Sequence, residues 1–143
     1  NVGRQYSLPD NGLGAGRDLA GVRKVVLDAV QKAQGQGCAP GVLGVSIGGD
    51  RGSSYIKSKE VLFSEMGTRN EDPKLAELEE RLTSEANEMG IGPMGFGGKT
   101  TVLDTKIIGL SRLPASYFVS VSYMCWAYRR RKMTVKGEEI TYE

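Results

Sequence analysis

Cys38-Ala39-Pro40-Gly41-Val42-Leu43-Gly44-Val45-Ser46-Ile47-Gly48-Gly49-Asp50 packs a turn, a strand and a second turn into one short stretch. Pro40-Gly41 punctuates the entry. Val42 to Ile47 is nearly continuously apolar, the pattern of a strand buried on both faces. Gly48-Gly49-Asp50-Arg51-Gly52 then breaks it. A strand of this kind sits inside a sheet covered by helices, so the flanking sequence is read for helices first.

Helical patterns lie on both sides. Upstream, Asp18 is a candidate N-cap for a helix whose stripe is Leu19, Val22, Val26, Ala29, Val30 and Ala33, stopped by Gly35 and Gly37. Downstream, Ser53 or Ser54 is a candidate cap for a second helix with Ile56, Leu62, Phe63 and Met66 inward. Asp72-Pro73 starts a third, because proline at the first helical position follows a capping residue. Leu75, Leu78, Leu82, Ala86 and Met89 form its inner face, and Gly90 ends it. Residues 1–17 read as an irregular lead-in.

The character changes at Gly90. Five glycines fall between Gly90 and Gly98, followed by a Thr/Val/Ile-rich strand from Thr101 to Leu110. Tyr117, Val119, Val121 and Tyr123 alternate with Ser120 and Ser122, the period of a strand. Met133–Val135 and Glu139–Tyr142 flank Lys136-Gly137 as a terminal hairpin. The expectation is one α/β (or α+β) domain over residues 1–143. It has a mixed sheet and about three helices, with helices mainly in the first two-thirds and strands in the last third.

Composition narrows the function. The chain has 143 residues, 39% hydrophobic and 25% charged, with net charge +2. That is a globular composition with room for one core. The absence of histidine removes the Ser–His–Asp triad, the Cys–His pair and His-liganded zinc. The longest uncharged stretch, Leu113 to Tyr128, is interrupted by serines and Pro114 and is too short to span a bilayer. No charged segment leads into an apolar one as in a secretory signal, and the reading places the protein in the cytoplasm with no membrane partner. Starting at Asn1 instead of Met, the chain reads as a fragment or processed piece.

Three features invite chemistry. Gly95-Phe96-Gly97-Gly98-Lys99-Thr100 looks like a phosphate loop, but Pro93 stands where that pattern needs glycine, and a helix precedes where a strand should. A ligand-facing glycine loop is the better reading. Arg129-Arg130-Arg131-Lys132, beside Trp126 and Tyr128, is a short basic cluster. With net charge +2 and no second such cluster, it reads as a solvated strand end and not as a nucleic-acid surface. The cysteines, Cys38 and Cys125, fit three readings: small buried hydrophobes, a disulfide, or metal ligands needing a further ligand from elsewhere.

Cys38-Ala-Pro-Gly-Val-Leu-Gly-Val-Ser-Ile-Gly-Gly-Asp50, Gly90-Ile-Gly-Pro-Met-Gly-Phe-Gly-Gly-Lys-Thr-Thr101 and Pro114-Ala-Ser through Val121-Ser-Tyr-Met-Cys-Trp-Ala-Tyr-Arg-Arg130 occur in that order. Together they resemble the later half of the alpha region of iron–sulfur (class I) fumarate hydratases, a family shared with L-tartrate dehydratases. The resemblance covers nearly the whole chain. It implies a hydro-lyase interconverting fumarate and malate by water addition at the open iron of a [4Fe–4S] cluster held by three cysteines. It makes Cys38 the second and Cys125 the third of these. The first would come from an upstream segment. The base and several carboxylate-binding residues would come from a beta region or subunit, so no catalytic residue falls on this chain and the isolated chain is expected to be inactive.

The dicarboxylate and cluster surroundings implied on this chain are Gly48, Gly49, Lys99 and Arg112. Lys99 reads equally as a structural lysine. A family histidine falls at Leu113, next to Arg112. The full enzyme is expected to be an oligomer. L-Tartrate dehydration and a cluster-free structural or interaction domain are the alternatives. Two geometric expectations follow. Cys38 and Cys125 are reduced and unbridged, with Cα atoms less than about 15 Å apart. Gly48-Gly49 and the Gly95–Lys99 loop share one rim with both cysteines.

Overall fold

A computed structural model describes residues 2–38, 40–124, 126 and 129–143. The strand at Val42–Ile47 is present and longer, β2 (Gly41–Gly49), with all its residues buried. It lies inside a four-stranded sheet with β1 (Val2–Ser7), β3 (Val102–Arg112) and β4 (Phe118–Tyr123), in the order β1-β4-β2-β3. β2 and β3 are parallel; β4 runs antiparallel to both β2 and β1. A separate hairpin, β5 (Met133–Lys136) and β6 (Glu139–Tyr142), follows. Three α-helices come early: α1 (Leu19–Ala33), α2 (Arg51–Glu60) and α3 (Pro73–Glu88). The mixed α/β class, the helix number and the helix-then-strand order are as the sequence implies.

The lead-in is not irregular at its start. Residues 2–7 form β1, paired along its length with β4 from Val2↔Tyr123 to Ser7↔Phe118. Val-Gly-Arg-Gln-Tyr-Ser carries no apolar alternation because β1 is an edge strand, and its backbone pairing supplies what its side chains do not.

One face of the sheet holds the main core. Val22, Val25, Val26, Ala29 and Val30 of α1 and Leu78, Leu82 and Ala86 of α3 close over Leu43, Val45, Ile47, Val119, Val121 and Tyr123. Asp18 caps α1 through Gly21 N–H at 2.7 Å, and Asp72 caps α3 ahead of Pro73. Full burial of each valine or leucine here stabilises by about 1.5–3 kcal/mol.

The other face is built from serine. Asp50, not Ser53 or Ser54, caps α2; Ser53 completes a capping box from its third position. Ser54 and Ser58 point at the sheet, where their hydroxyls meet Ser120 at 2.9 Å and Ser122 at 2.7 Å. Ile56, Phe63 and Met66, expected inward, are exposed; Leu62 alone of that set is buried. The reason is distance. A Cβ on Gly44 would lie 2.1 Å from the Ser58 carbonyl oxygen and 2.8 Å from Leu62 Cγ. Helix and strand are too close for large side chains, and paired hydroxyls fill the gap without leaving a donor unmet.

The free edge of β3 is covered. Asp104 and Lys106 are both buried. The Asp104 carboxylate lies 3.1 Å from Lys106 Nζ and 2.9 Å from Arg69 Nη1, and accepts from Gly67 N–H at 2.9 Å. Lys106 Nζ donates to the Thr68 carbonyl at 2.5 Å, and Glu79 Oε1 accepts Ile107 N–H at 2.8 Å. These bonds blunt a strand edge that would otherwise pair with another chain. Burial pushes the Asp104 carboxyl up, but the Gly67 N–H and the Lys106 ammonium outweigh it and hold it below the ordinary value.

Gly44→Ala is expected to destabilise the fold by about 2–3 kcal/mol, the cost of forcing α2 off the sheet; an unchanged urea midpoint would contradict the close approach. A carboxyl lowered in the folded state stabilises above its unfolded pKa of about 3.9, and that stability is lost as pH falls through the lower folded value. Asp104→Asn should therefore flatten the acid limb of unfolding free energy against pH. At neutral pH it should cost about 3 kcal/mol or more, because Lys106 stays buried without its carboxylate. A variant with the parent's acid limb would refute the role given to Asp104.

Candidate functional site

The strand directions sort the sequence-derived site residues. Gly41 pairs with Val102, and Leu43 pairs with Tyr123. The starts of β2 and β3 and the finish of β4 therefore lie at one end of the sheet. Gly49 pairs with Arg112 at the other. β2 runs nine residues from Gly41 to Gly49, and its eight steps of about 3.3 Å put the two ends roughly 26 Å apart.

Cys38 belongs to the first end. Beyond α1 the chain makes a 3-10 turn at Gln34–Gln36 and reaches Cys38, which is half-buried. Gly37 and Gly41 bracket it. A Cβ on either would fall 2.5 Å or 2.3 Å from the Tyr123 ring. The tyrosine thus fills the space inside the Cys38 turn, and its hydroxyl donates to the Thr101 carbonyl at 2.9 Å. Burial pushes this phenol above its ordinary pKa.

The glycine loop joins the same end. Asn87 Oδ1 accepts N–H groups from Thr101 at 2.7 Å and Val102 at 2.9 Å, fixing the loop's exit. The loop folds back on itself through Gly97 N–H to the Ile91 carbonyl at 2.8 Å. Its Met94–Gly95 backbone packs on Gly35, where a Cβ would lie 2.2 Å from the Met94 carbonyl oxygen. Lys99 is exposed on this loop. The glycine loop thus lies against Gly35, three residues before Cys38, at the same end of the sheet.

The structure does not bring Gly48, Gly49 and Arg112 to this end. The expected single rim is split between the two sheet ends. Gly48 is needed where it is for packing: a Cβ there would lie 2.3 Å from the Leu110 carbonyl oxygen. The adjoining N-terminus of α2 is already satisfied by its own Asp50, which accepts from Gly52 N–H at 2.7 Å and Ser53 N–H at 3.0 Å. Those bonds, Ser53's first among them, hold the Asp50 carboxyl below its ordinary pKa. This end offers a substrate carboxylate a filled donor cradle.

Cys125 lies outside the described residues, so its separation from Cys38 and the state of the pair remain expectations. The chain just before it is placed: Met124 N–H donates to the Val42 carbonyl at 2.9 Å. Val42 and Met124 line a groove of about 370 Å³ with Leu62, Met66, Leu103 and Arg129. Sequence reading missed Tyr123 as the post inside the Cys38 turn. The signal was the Gly37/Gly41 bracket, which marks a close approach from both sides.

The model of the fumarate hydratase (Fumerase) family matches residues 5–134. The chain belongs to this family. It is 55% identical over 133 residues to "Putative fumarate hydratase class I" of Geobacillus stearothermophilus, a match covering 91% of this chain and 26% of that protein. It is 34% identical over 123 residues to the L(+)-tartrate dehydratase subunit alpha of Escherichia coli K12, covering 86% of this chain and 40% of that subunit. This fumarate hydratase family chain thus spans about a quarter and about two-fifths of the lengths of these relatives.

Iron–sulfur clusters are held by cysteine thiolates. Among the described residues no group of three or more cysteine, aspartate or glutamate side chains could hold a metal by itself. What is present fits a shared cluster in kind. A half-buried thiol sits on a turn bracketed by Gly37 and Gly41, and a glycine loop lies at the same sheet end. No helix among the described residues is long and apolar enough to cross a membrane.

Proposed function

We propose that this chain is the cluster-binding part of a hydro-lyase that interconverts fumarate and malate. The observation that carries the reading is that the Cys38 turn and the glycine loop share one end of the sheet, in a chain 55% identical to a protein described as a class I fumarate hydratase. Cys38, with Cys125 next in chain after Met124, would hold two irons of a [4Fe–4S] cluster, and a third cysteine would come from outside this chain. When bound, the cluster supplies a Lewis acid that polarises a substrate hydroxyl and carboxylate.

This chain's own residues provide the setting. The Tyr123 ring, wedged between Gly37 and Gly41, fixes the turn that presents the Cys38 thiolate. Five of the nine residues of the Gly90–Gly98 loop are glycine, and at Gly97-Gly98, just before Lys99, a dicarboxylate could approach the backbone closely. Lys99 offers an ammonium to one carboxylate from that loop. The proton-transferring base and the remaining carboxylate partners lie in the beta region, and the complete enzyme is an oligomer of the cytoplasm. Tartrate dehydration is the second reading, favoured by the 34% identity to a tartrate dehydratase alpha subunit. It would use the same residues on a substrate with one more hydroxyl.

The test is anaerobic cluster reconstitution of the complete alpha–beta assembly, followed by assays with fumarate and with L-tartrate. The complete enzyme is expected to hydrate fumarate, the 143-residue chain alone to be silent, and Cys38→Ser to abolish turnover in the assembly. Full fumarate turnover by Cys38→Ser would overturn the proposal. Turnover of tartrate alone would replace the substrate and keep the site.

A further inference from the structure

The basic run Arg129–Lys132 is exposed along its length. Two of its members turn back onto the protein. Arg130 donates to the Phe63 carbonyl and lies over the Phe63 ring, its carbon 5.0 Å from the centroid. Arg129 reaches across the chain: its Nη2 donates to the Pro40 carbonyl at 3.0 Å, while its guanidinium stacks 3.9 Å from the centroid of the Trp126 ring. Its own N–H donates to the Trp126 carbonyl at 2.9 Å. Pro40 is in the Cys38 turn, and Trp126 and Arg129 are in the segment that carries Cys125.

We infer that Arg129 is a positioning residue for the cysteine turns. With the Met124–Val42 bond it ties Pro40 and Val42 to Arg129 and Met124. One bond is a β-ladder-like rung. The other is a charge-assisted bond from a side chain preorganised by an aromatic face. The lacing holds the Cys38 turn in one place before any cluster is present, which lowers the ordering cost of binding one. Arginine suits this because its planar fork can stack and donate at once. Lysine, a compact ammonium, can do only part of it.

The inference rests on the reading of Cys38 as a cluster ligand, and the experiment separates the two. Arg129→Ala, Arg129→Lys and Cys38→Ser are made in the complete enzyme. Each is measured two ways: peptide-resolved alkylation of Cys38 in the cluster-free protein, and iron and sulfide content with the electron-paramagnetic signature after reconstitution. Arg129→Ala is expected to speed Cys38 alkylation about tenfold, the loss of one charge-assisted bond, and to lower cluster retention. Arg129→Lys should recover part of both. Trp126→Leu, which removes only the stacking face, should move both in the same direction by less, and it carries the test if Arg129→Ala fails to assemble. Parent-like alkylation and cluster content in Arg129→Ala, with the cluster lost in Cys38→Ser, would overturn the positioning role alone. A parent-like cluster in Cys38→Ser would overturn the ligand reading and this inference with it.

Discussion

Tyr123 is the last residue of β4, and its side chain meets both the Cys38 turn and the lead into β3. Gly37 and Gly41 lie against it so closely that neither position has room for a methyl group. Its hydroxyl ends on the Thr101 carbonyl, one residue ahead of β3. The entry to β2, the entry to β3 and the exit of β4 are thereby gathered at one sheet end by a single side chain. The Cys38 turn takes its shape from this wedge, and the glycine loop is tethered beside it through Gly35 and Asn87. If the ring moved, the turn and the loop would lose their common support.

The two faces of the sheet solve different problems. Toward α1 and α3, aliphatic side chains supply the burial that a chain of 143 residues needs. Toward α2, the approach at Gly44 leaves no space for them, and Ser46, Ser54, Ser58, Ser120 and Ser122 take their place. A serine layer gains less per side chain than an aliphatic one. It fixes the helix position instead, because each hydroxyl is satisfied in one register only. The apolar residues of that segment are turned outward in consequence. With Leu103 and Trp126, exposed Phe63 and Met66 leave apolar surface on view.

Much of the frame was readable in the sequence because its signals are local. Asp18 and Asp72-Pro73 mark helix starts by their own capping chemistry, and the run from Val42 to Ile47 can only be a strand with both faces covered. What escaped the reading depends on long-range distance. The serines of β4 alternate with apolar residues as though they faced water, yet both are buried under α2. Nothing near them in sequence announces that helix. β1 lacks a strand pattern because it is an edge strand, and the partner that pairs it, β4, lies more than a hundred residues away. Gly48-Gly49 looked like companions of Cys38 because glycine suits a crowded pocket, and Arg112 because it adjoins Leu113, where the family histidine falls. Strand direction, invisible in the composition, sends them to the opposite end.

The motifs that resemble the fumarate hydratase family are thus divided by the sheet into a thiol-bearing end and a structural end. The thiol-bearing end, which Cys38 shares with the glycine loop, is the proposed cluster face. Anomalous diffraction at the iron edge, from anaerobically grown crystals of the reconstituted complete enzyme, tests this most directly. The expected result is iron bonded to the Cys38 sulfur, about 2.3 Å away as for thiolate ligation of a comparable metal, beside the start of β2. Iron beside Gly49 and Arg112, or a cluster with Cys38 outside its coordination, would contradict it.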